Sequence, residues 1–363
     1  MKKIWVAFLA LVMVGEVLFS ASAKPSLRLT MASAEAAPAE PITLMCAEIG
    51  PPKGYRARGD QWFAQQVEKQ TEGRVKIKFY WGGSLLGVRE MLQGVRKGVA
   101  DMGMNHCSWM PKEMPVWYGL IVCPFLPKWQ DPRNVVDAVW TLWDEFPAFR
   151  QDMERWNQTL LIAPPFGAQH VFSKRPLKGL KDVKGLKLRI ALAPHGKAYA
   201  ALGAHPVRVK PGEIYTALSK GTIDSADVTF DQAMRFGVVE VATHCLLTNL
   251  ATGPGMITIN KDSLAKLSKK DRETLLRLGR EASRLMAQWA FEEEKKLRAK
   301  WQGKLTFVKV PKADIEWWIG LPGVNLVPGW IKEREKTGFP AREFMKRVLS
   351  LGGAPIELIL KTK

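Results

Sequence analysis

Histidine is scarce, with five in 363 residues, and none stands in an H-E-x-x-H or similar metal pattern. Nucleophile elbows and paired-carboxylate motifs are missing too, so a secreted hydrolase has little to stand on. His106 beside Cys107 is the one formal exception, and neighbours on a strand point to opposite faces. The four cysteines, Cys46, Cys107, Cys123 and Cys245, form no C-x-x-C pair, which removes support for zinc-binding and thioredoxin-like readings. His106 and His170 lack a third partner at metal-ligand spacing, and no cofactor is expected. Beyond the first 20 residues no apolar run is long enough to span a bilayer. Acidic residues are also in short supply: 35 against 54 lysines and arginines leave a net charge of +19.

The N-terminus reads as an export signal. Lys2 and Lys3 precede an apolar stretch over residues 4–19, and Ala21-Ser22-Ala23 fits the small-x-small cleavage rule. The expected signal peptide is 1–23, with further small-residue sites that put cleavage as late as 36. Residues 24–40, rich in Ala, Ser and Pro, are expected to be disordered. The remaining chain is long for one core and natural for two domains in a soluble, exported protein. Its compartment permits disulfides.

The positive charge fits three partners: an anionic ligand steered to a cleft, an anionic polymer or membrane, or water over a generic basic surface. Lysines and arginines are spread along the whole chain and mixed with acids and apolar residues, so a generic surface accounts for most of them. No zinc-finger, RRM or basic-zipper pattern appears, and nucleic acid is not an expected partner.

Periodicity gives an α/β chain. Residues 42–47 read as a strand, 55–71 as a helix, and Val75, Ile77 and Phe79 alternate with lysines as a half-buried strand. Met91-Leu92-x-x-Val95-x-Lys97-Gly98-x-x-Asp101 matches Ile214-Tyr215-x-x-Leu218-x-Lys220-Gly221-x-x-Asp224. Each is a helix, a Lys-Gly stop, and an Asp that opens a strand, which suggests one unit used once per domain. Leu186, Leu188 and Ile190 alternate with Lys187 and Arg189, turning the arginine away from the apolar face. Ser268 caps a long helix, with Asp271 three residues on, running to about Trp301.

These pieces resemble the substrate-binding subunits of tripartite ATP-independent periplasmic (TRAP) transporters, of the dicarboxylate-receptor type. The resemblance rests on Gly73-Arg74-Val75-Lys76-Ile77 with Leu85-Leu86-Gly87, and on the stretch from Leu180 through Gly185-Leu186-Lys187-Leu188-Arg189. Leu202-Gly203-Ala204-His205-Pro206-Val207 and Glu213-Ile214-Tyr215-Thr216-Ala217-Leu218 continue it in the same order.

The resemblance implies a two-lobed periplasmic-binding-protein-like α/β fold with a hinge, a ligand cleft and a long helix crossing both lobes. Lobe I is expected at 41–166 plus 254–294 and lobe II at 167–253 plus 295–363, each with a mainly parallel sheet. It further implies a periplasmic receptor that delivers a small organic acid to small and large membrane permease subunits. A ligand-sensing receptor for a membrane kinase is the alternative reading, and a secreted hydrolase a weaker one.

By the same resemblance Arg189 pairs with the ligand carboxylate. Gln169 stands where related receptors carry a second cation, and Asp227-Val228 where they carry Glu-Asn. Glu48, after the first strand, and His106 and Trp109, after the first repeat, are expected to line the cleft. Losing polar groups for Val228 and Trp109 points to a monocarboxylate rather than a sugar acid or dicarboxylate. At most one disulfide is expected, within lobe I, with Cys245 free.

Overall fold

The computed structural model describes residues 40–361. The expected signal peptide and the segment after it, up to residue 39, lie outside the described residues. Among the described residues eleven strands are formed: β1 (Ile42–Ala47), β2 (Val75–Tyr80), β3 (Met102–His106), β4 (Gln158–Ile162), β5 (Gln169–Ser173), β6 (Lys187–Arg189), β7 (His205–Val207), β8 (Ser225–Val228), β9 (His244–Leu250), β10 (Gly255–Asn260) and β11 (Thr306–Lys309).

They build two sheets, ordered β2-β1-β3-β10-β4 and β11-β9-β5-β8-β6-β7. The chain leaves the first sheet between β4 and β5 and returns between β9 and β10. Both sheets are mainly parallel, as expected, with one reversed strand in each. β1 runs parallel to β2 and β3, and β6 to β7 and β8, but β10 is antiparallel to both neighbours and so is β5. Both exceptions are strands arriving straight from the other sheet. They lack the helical crossover that a parallel connection requires.

The repeated segment does the same work twice. The helices Met91–Arg96 and Ile214–Ser219 stop at Gly98 and Gly221, whose φ of 75° and 73° suits glycine. Asp101 then accepts the Met45 N–H at 2.8 Å, and Asp224 accepts the Lys187 N–H at 2.8 Å. Each carboxylate thus ties the start of its own strand to the parallel neighbour.

Ser268 caps the helix Lys269–Lys300, accepting the Asp271 N–H at 3.1 Å. Its 32 residues span about 48 Å at 1.5 Å each. The helix packs on Gly54–Gln70 and β4 at one end and on Phe230–Arg235 toward the other. Arg74 of the Gly73-Arg74 motif pins its start through Asp271, 2.9 Å away. Its contact with β4 is close enough to require glycine: a Cβ at Gly279 would lie 2.1 Å from the Leu161 carbonyl oxygen. One turn on, the Ser283 hydroxyl accepts the Ala163 N–H at 2.9 Å, where the first crossover begins. Gly279→Ala should therefore destabilise the protein by about 1–3 kcal/mol, read as a lower denaturant midpoint at unchanged slope.

The tail helices Val327–Glu335 and Ala341–Gly352 carry Trp330 and Phe344 into an aromatic core with Trp117, Trp143 and Phe149. They pack on Gly119–Val122 and Pro132–Glu145, which precede the first crossover, while Trp318 donates to the Ala198 carbonyl at 2.7 Å. All four cysteines are free and buried.

Candidate functional site

A cavity of about 630 Å³ opens between the two sheets. His106 at the end of β3, with Ser108 and Trp109 just past it, forms part of its wall, and Phe166 and Thr252 come from the two crossovers. The opposite wall holds Gln169 and the ends of β6, β7 and β8, with Arg189, Arg208 and Thr229. This is where α/β folds place ligands, outside the carboxyl ends of their strands.

Arg189 ends β6 and is 5% exposed. Its Nε donates to the Val209 carbonyl and one terminal nitrogen to the Asp227 carbonyl, both at 3.3 Å. Among the described residues no carboxylate forms an ion pair with it. Burial lowers its pKa, Asp227 pulls the other way, and the Arg208 charge adds to the lowering. A guanidinium keeps its proton regardless, so the site holds a desolvated cation with donors to spare.

Beneath it lies a buried polar network. The Asp227 carboxylate sits 2.8 Å from His195 Nδ1 and accepts the Tyr199 hydroxyl at 3.0 Å. His195 Nε2 lies 3.0 Å from the Ala251 carbonyl, which can only accept, so that nitrogen carries a proton. The Thr248 hydroxyl links Tyr199 to the Gln169 carbonyl, each at 3.1 Å. The floor under Arg189 is thereby joined to the second crossover and to β5.

Of the residues expected in the cleft, the structure brings together Arg189, Gln169, His106 and Trp109. Glu48, Asp227 and Val228 do not line the cavity, which corrects three expectations. Val228 points into the apolar core around Phe230, and Asp227 spends its carboxylate on His195 and Tyr199. Adjacent residues of β8 face opposite ways, yet both faces are covered here, so neither side chain reaches the ligand space. Glu48 folds back onto its own loop, accepting the Gly50 N–H at 2.7 Å. Burial raises its pKa against the pull of Arg56. Arg56 itself lies 4.4 Å above the ring of Phe166, so it backs the wall rather than forming it.

His106 contacts the Ser108 hydroxyl through Nδ1 at 2.7 Å, and burial pushes its pKa down to about 4. It is therefore neutral near pH 7. Its ring lies 5.8 Å from Trp109 and 5.0 Å from Phe166, giving an aromatic face to the cavity. The Cys107 thiol is buried and its pKa rises to about 12, so it supplies no thiolate nucleophile beside His106.

Sequence reading missed Arg208, Lys210, Gln232 and Thr252. A signal existed for the first two: they flank Val209 just past β7, and β7 is the parallel neighbour of β6. No acidic side chain lines this cavity, while Arg189, Arg208 and Lys210 do. Arg208 and Lys210 are exposed at the rim, where charge guides encounter more than it holds a ligand. Among the described residues no cluster of three or more His, Cys, Asp or Glu could hold a metal.

A half-buried acid stands at the first crossover. A Cβ built on Gly167 would lie 3.8 Å from Glu294 Oε2 on the long helix. Burial raises the Glu294 pKa from 4.5 to about 7, with Arg298 opposing and Asp131 adding to the rise. Between those values the native state holds a proton that the unfolded chain has released, so stability falls as pH rises through that window. Glu294→Gln should remove this loss, stabilising the protein at pH 8 by on the order of 1–3 kcal/mol and much less at pH 4.5. Melting curves across that range check it.

The fold is shared with known proteins. The family model for bacterial extracellular solute-binding proteins, family 7, matches residues 51–320. The 2,3-diketo-L-gulonate-binding periplasmic protein of Escherichia coli is 27% identical, over 65% of this chain and 71% of its own. A TRAP periplasmic solute-binding protein from Desulfovibrio salexigens superimposes with a TM-score of 0.77 at 24% identity, covering 86% of this chain and 95% of its own. A marine metagenome TRAP solute-binding protein specific for aromatic acid ligands gives 0.73 at 20% identity, covering 86% and 98%. With a family model spanning most of its length, the chain belongs to the bacterial extracellular solute-binding proteins of family 7.

Proposed function

We propose that the protein is the periplasmic receptor of a TRAP transporter, binding a small organic monocarboxylate through Arg189 and delivering it to the small and large membrane subunits. It acts by binding, not by turnover. The observation that carries this reading is the guanidinium of Arg189: buried, without an acidic partner, and open to a cavity that contains no carboxylate. Guanidinium and carboxylate match as two planar forks, and their pairing strengthens when water is excluded.

The rest of the wall describes the ligand's body. Trp109 and Phe166 on one side and Leu192, Val209 and Pro211 on the other favour an apolar or aromatic frame. An ammonium group finds no counter-ion, which disfavours zwitterionic amino acids. The Escherichia coli relative and the marine receptor both take organic acids. The two walls come from different sheets joined by two crossovers and one long helix, an arrangement suited to hinge closure over a ligand.

A thermal-shift screen of carboxylic acids tests the reading, because a ligand that binds only the native state raises the melting midpoint. The cognate acid should raise it, and its methyl ester and amide should not. A neutral or cationic compound that binds tightly in this cavity would displace the carboxylate reading.

A further inference from the structure

The second sheet has two ends, and the cavity occupies only one of them, where β6, β7 and β8 finish and β5 starts. At the other end β5 finishes and β6 begins, and the segment between them alternates in threes. Leu177, Leu180, Val183 and Leu186 are buried in the core. Lys178, Lys181, Lys184 and Lys187, each one residue further on, are exposed. Packing of the apolar set thus turns the four lysines outward. Arg175 is exposed beside them. The Lys174 ammonium donates to the Leu218 and Ser219 carbonyls at 2.7 and 3.2 Å, which brings the exposed Lys220 to the same face.

Little opposes this charge. Between residues 174 and 187 six cations stand against one acid, Asp182. Its carboxylate accepts the Lys178 and Gly179 N–H groups at 2.6 and 3.1 Å, and Asp224 accepts the Lys187 N–H, so both acids serve the backbone. Among the described residues none of Arg175, Lys178, Lys181, Lys184, Lys187 and Lys220 forms an ion pair. The long helix differs: Arg277, Arg280 and Arg284 each face an acid. A generic charged surface intersperses both signs, and this face does not.

We propose that this face binds the anionic surface of a phospholipid bilayer and holds the protein beside the membrane. The inference goes beyond the ligand reading and does not depend on Arg189. The cations are mostly lysines, strongly hydrated point charges on flexible stems, which suit a diffuse negative surface better than one fixed anion. The leucines and the valine of the segment all face inward, so the face lacks the apolar anchor on which a protein–protein interface centres. The cavity lies at the far end of the same sheet, so attachment through the lysines leaves the cleft free to take its ligand.

Co-sedimentation of the mature protein with vesicles tests the assignment. Vesicles of equal parts phosphatidylglycerol and phosphatidylcholine should carry it down at low salt and less at about 0.15 M salt, and vesicles of phosphatidylcholine alone should not. Each lysine near an anionic surface strengthens attachment by about fivefold. The triple variant Lys178→Gln, Lys181→Gln, Lys184→Gln should therefore bind roughly tenfold more weakly or worse. A second triple, Lys332→Gln, Arg342→Gln, Lys346→Gln, removes the same charge from exposed positions on the tail helices and should bind nearly as wild type does. Equal losses in the two triples would assign attachment to net charge and overturn the inference. Equal binding of wild type to both kinds of vesicle, or binding to neither, overturns it without any variant. A preference for soluble polyglutamate over the vesicles overturns it as well, and would give the face to an acidic polypeptide.

Discussion

Arg189→Ala should weaken binding of the cognate acid by roughly thirtyfold to several thousandfold, since truncating one partner of a desolvated charge pair costs about 2–5 kcal/mol. The setting places this near the upper end. Arg189 is buried, its carbonyl contacts at Val209 and Asp227 are long, and no carboxylate neutralises it. The bound acid would be its first anionic partner. Arg189→Lys should recover little, because an ammonium on a flexible stem cannot present two parallel N–H bonds to a carboxylate. Calorimetry on both variants reads the loss directly, and an alanine variant with wild-type affinity would remove Arg189 from the site.

Asp227→Ala should destabilise the fold by about 1–3 kcal/mol, the range for leaving a buried hydrogen-bonding group without its partner. His195 and Asp227 are fully buried, and both ring nitrogens of His195 face oxygen atoms. Without the carboxylate, His195 Nδ1 loses its side-chain partner and the Tyr199 hydroxyl keeps only Thr248, in a fully buried setting. Asp227→Asn keeps the shape and one acceptor oxygen, so its loss should be smaller. Denaturant unfolding measures both; equal stability of Asp227→Ala and wild type would show that the network contributes nothing. Acid affinity should fall in step, because the Asp227 carbonyl anchors Arg189 and would shift with the emptied floor.

Much of this fold was legible because local signals agreed with the global arrangement. The Lys-Gly-x-x-Asp repeat announced two equivalent units, and the structure shows why: glycine supplies a left-handed stop and aspartate tethers the adjacent strand. Ser268 and Asp271 announced the start of the long helix. Strand direction was less legible. Whether β5 and β10 run with or against their neighbours depends on where the chain changes sheets, and no local pattern encodes that.

The site divided in a similar way. Arg189 and Gln169 came from the resemblance to TRAP receptors, and His106 and Trp109 from their place at the end of the first repeat. Glu48 sits beyond a strand too, yet a turn that brings the Gly50 N–H to its carboxylate pulls it out of reach. Asp227 and Val228 failed for a different reason. Position along β8 shows which residues are near the cleft floor, but covering both faces of that strand is a property of tertiary packing. Arg208 and Lys210 went unnoticed because β7 is only three residues long and carries no alternation of its own.

The central claim is that Arg189 receives the ligand's carboxylate, and a crystal structure of the protein with its cognate acid tests it most directly. Both carboxylate oxygens should lie about 2.7–2.9 Å from guanidinium nitrogens of Arg189, with the ligand's frame against Trp109 and Phe166. A carboxylate directed instead to Arg208 and Lys210 at the rim, or a bound ligand with no carboxylate at all, would contradict it.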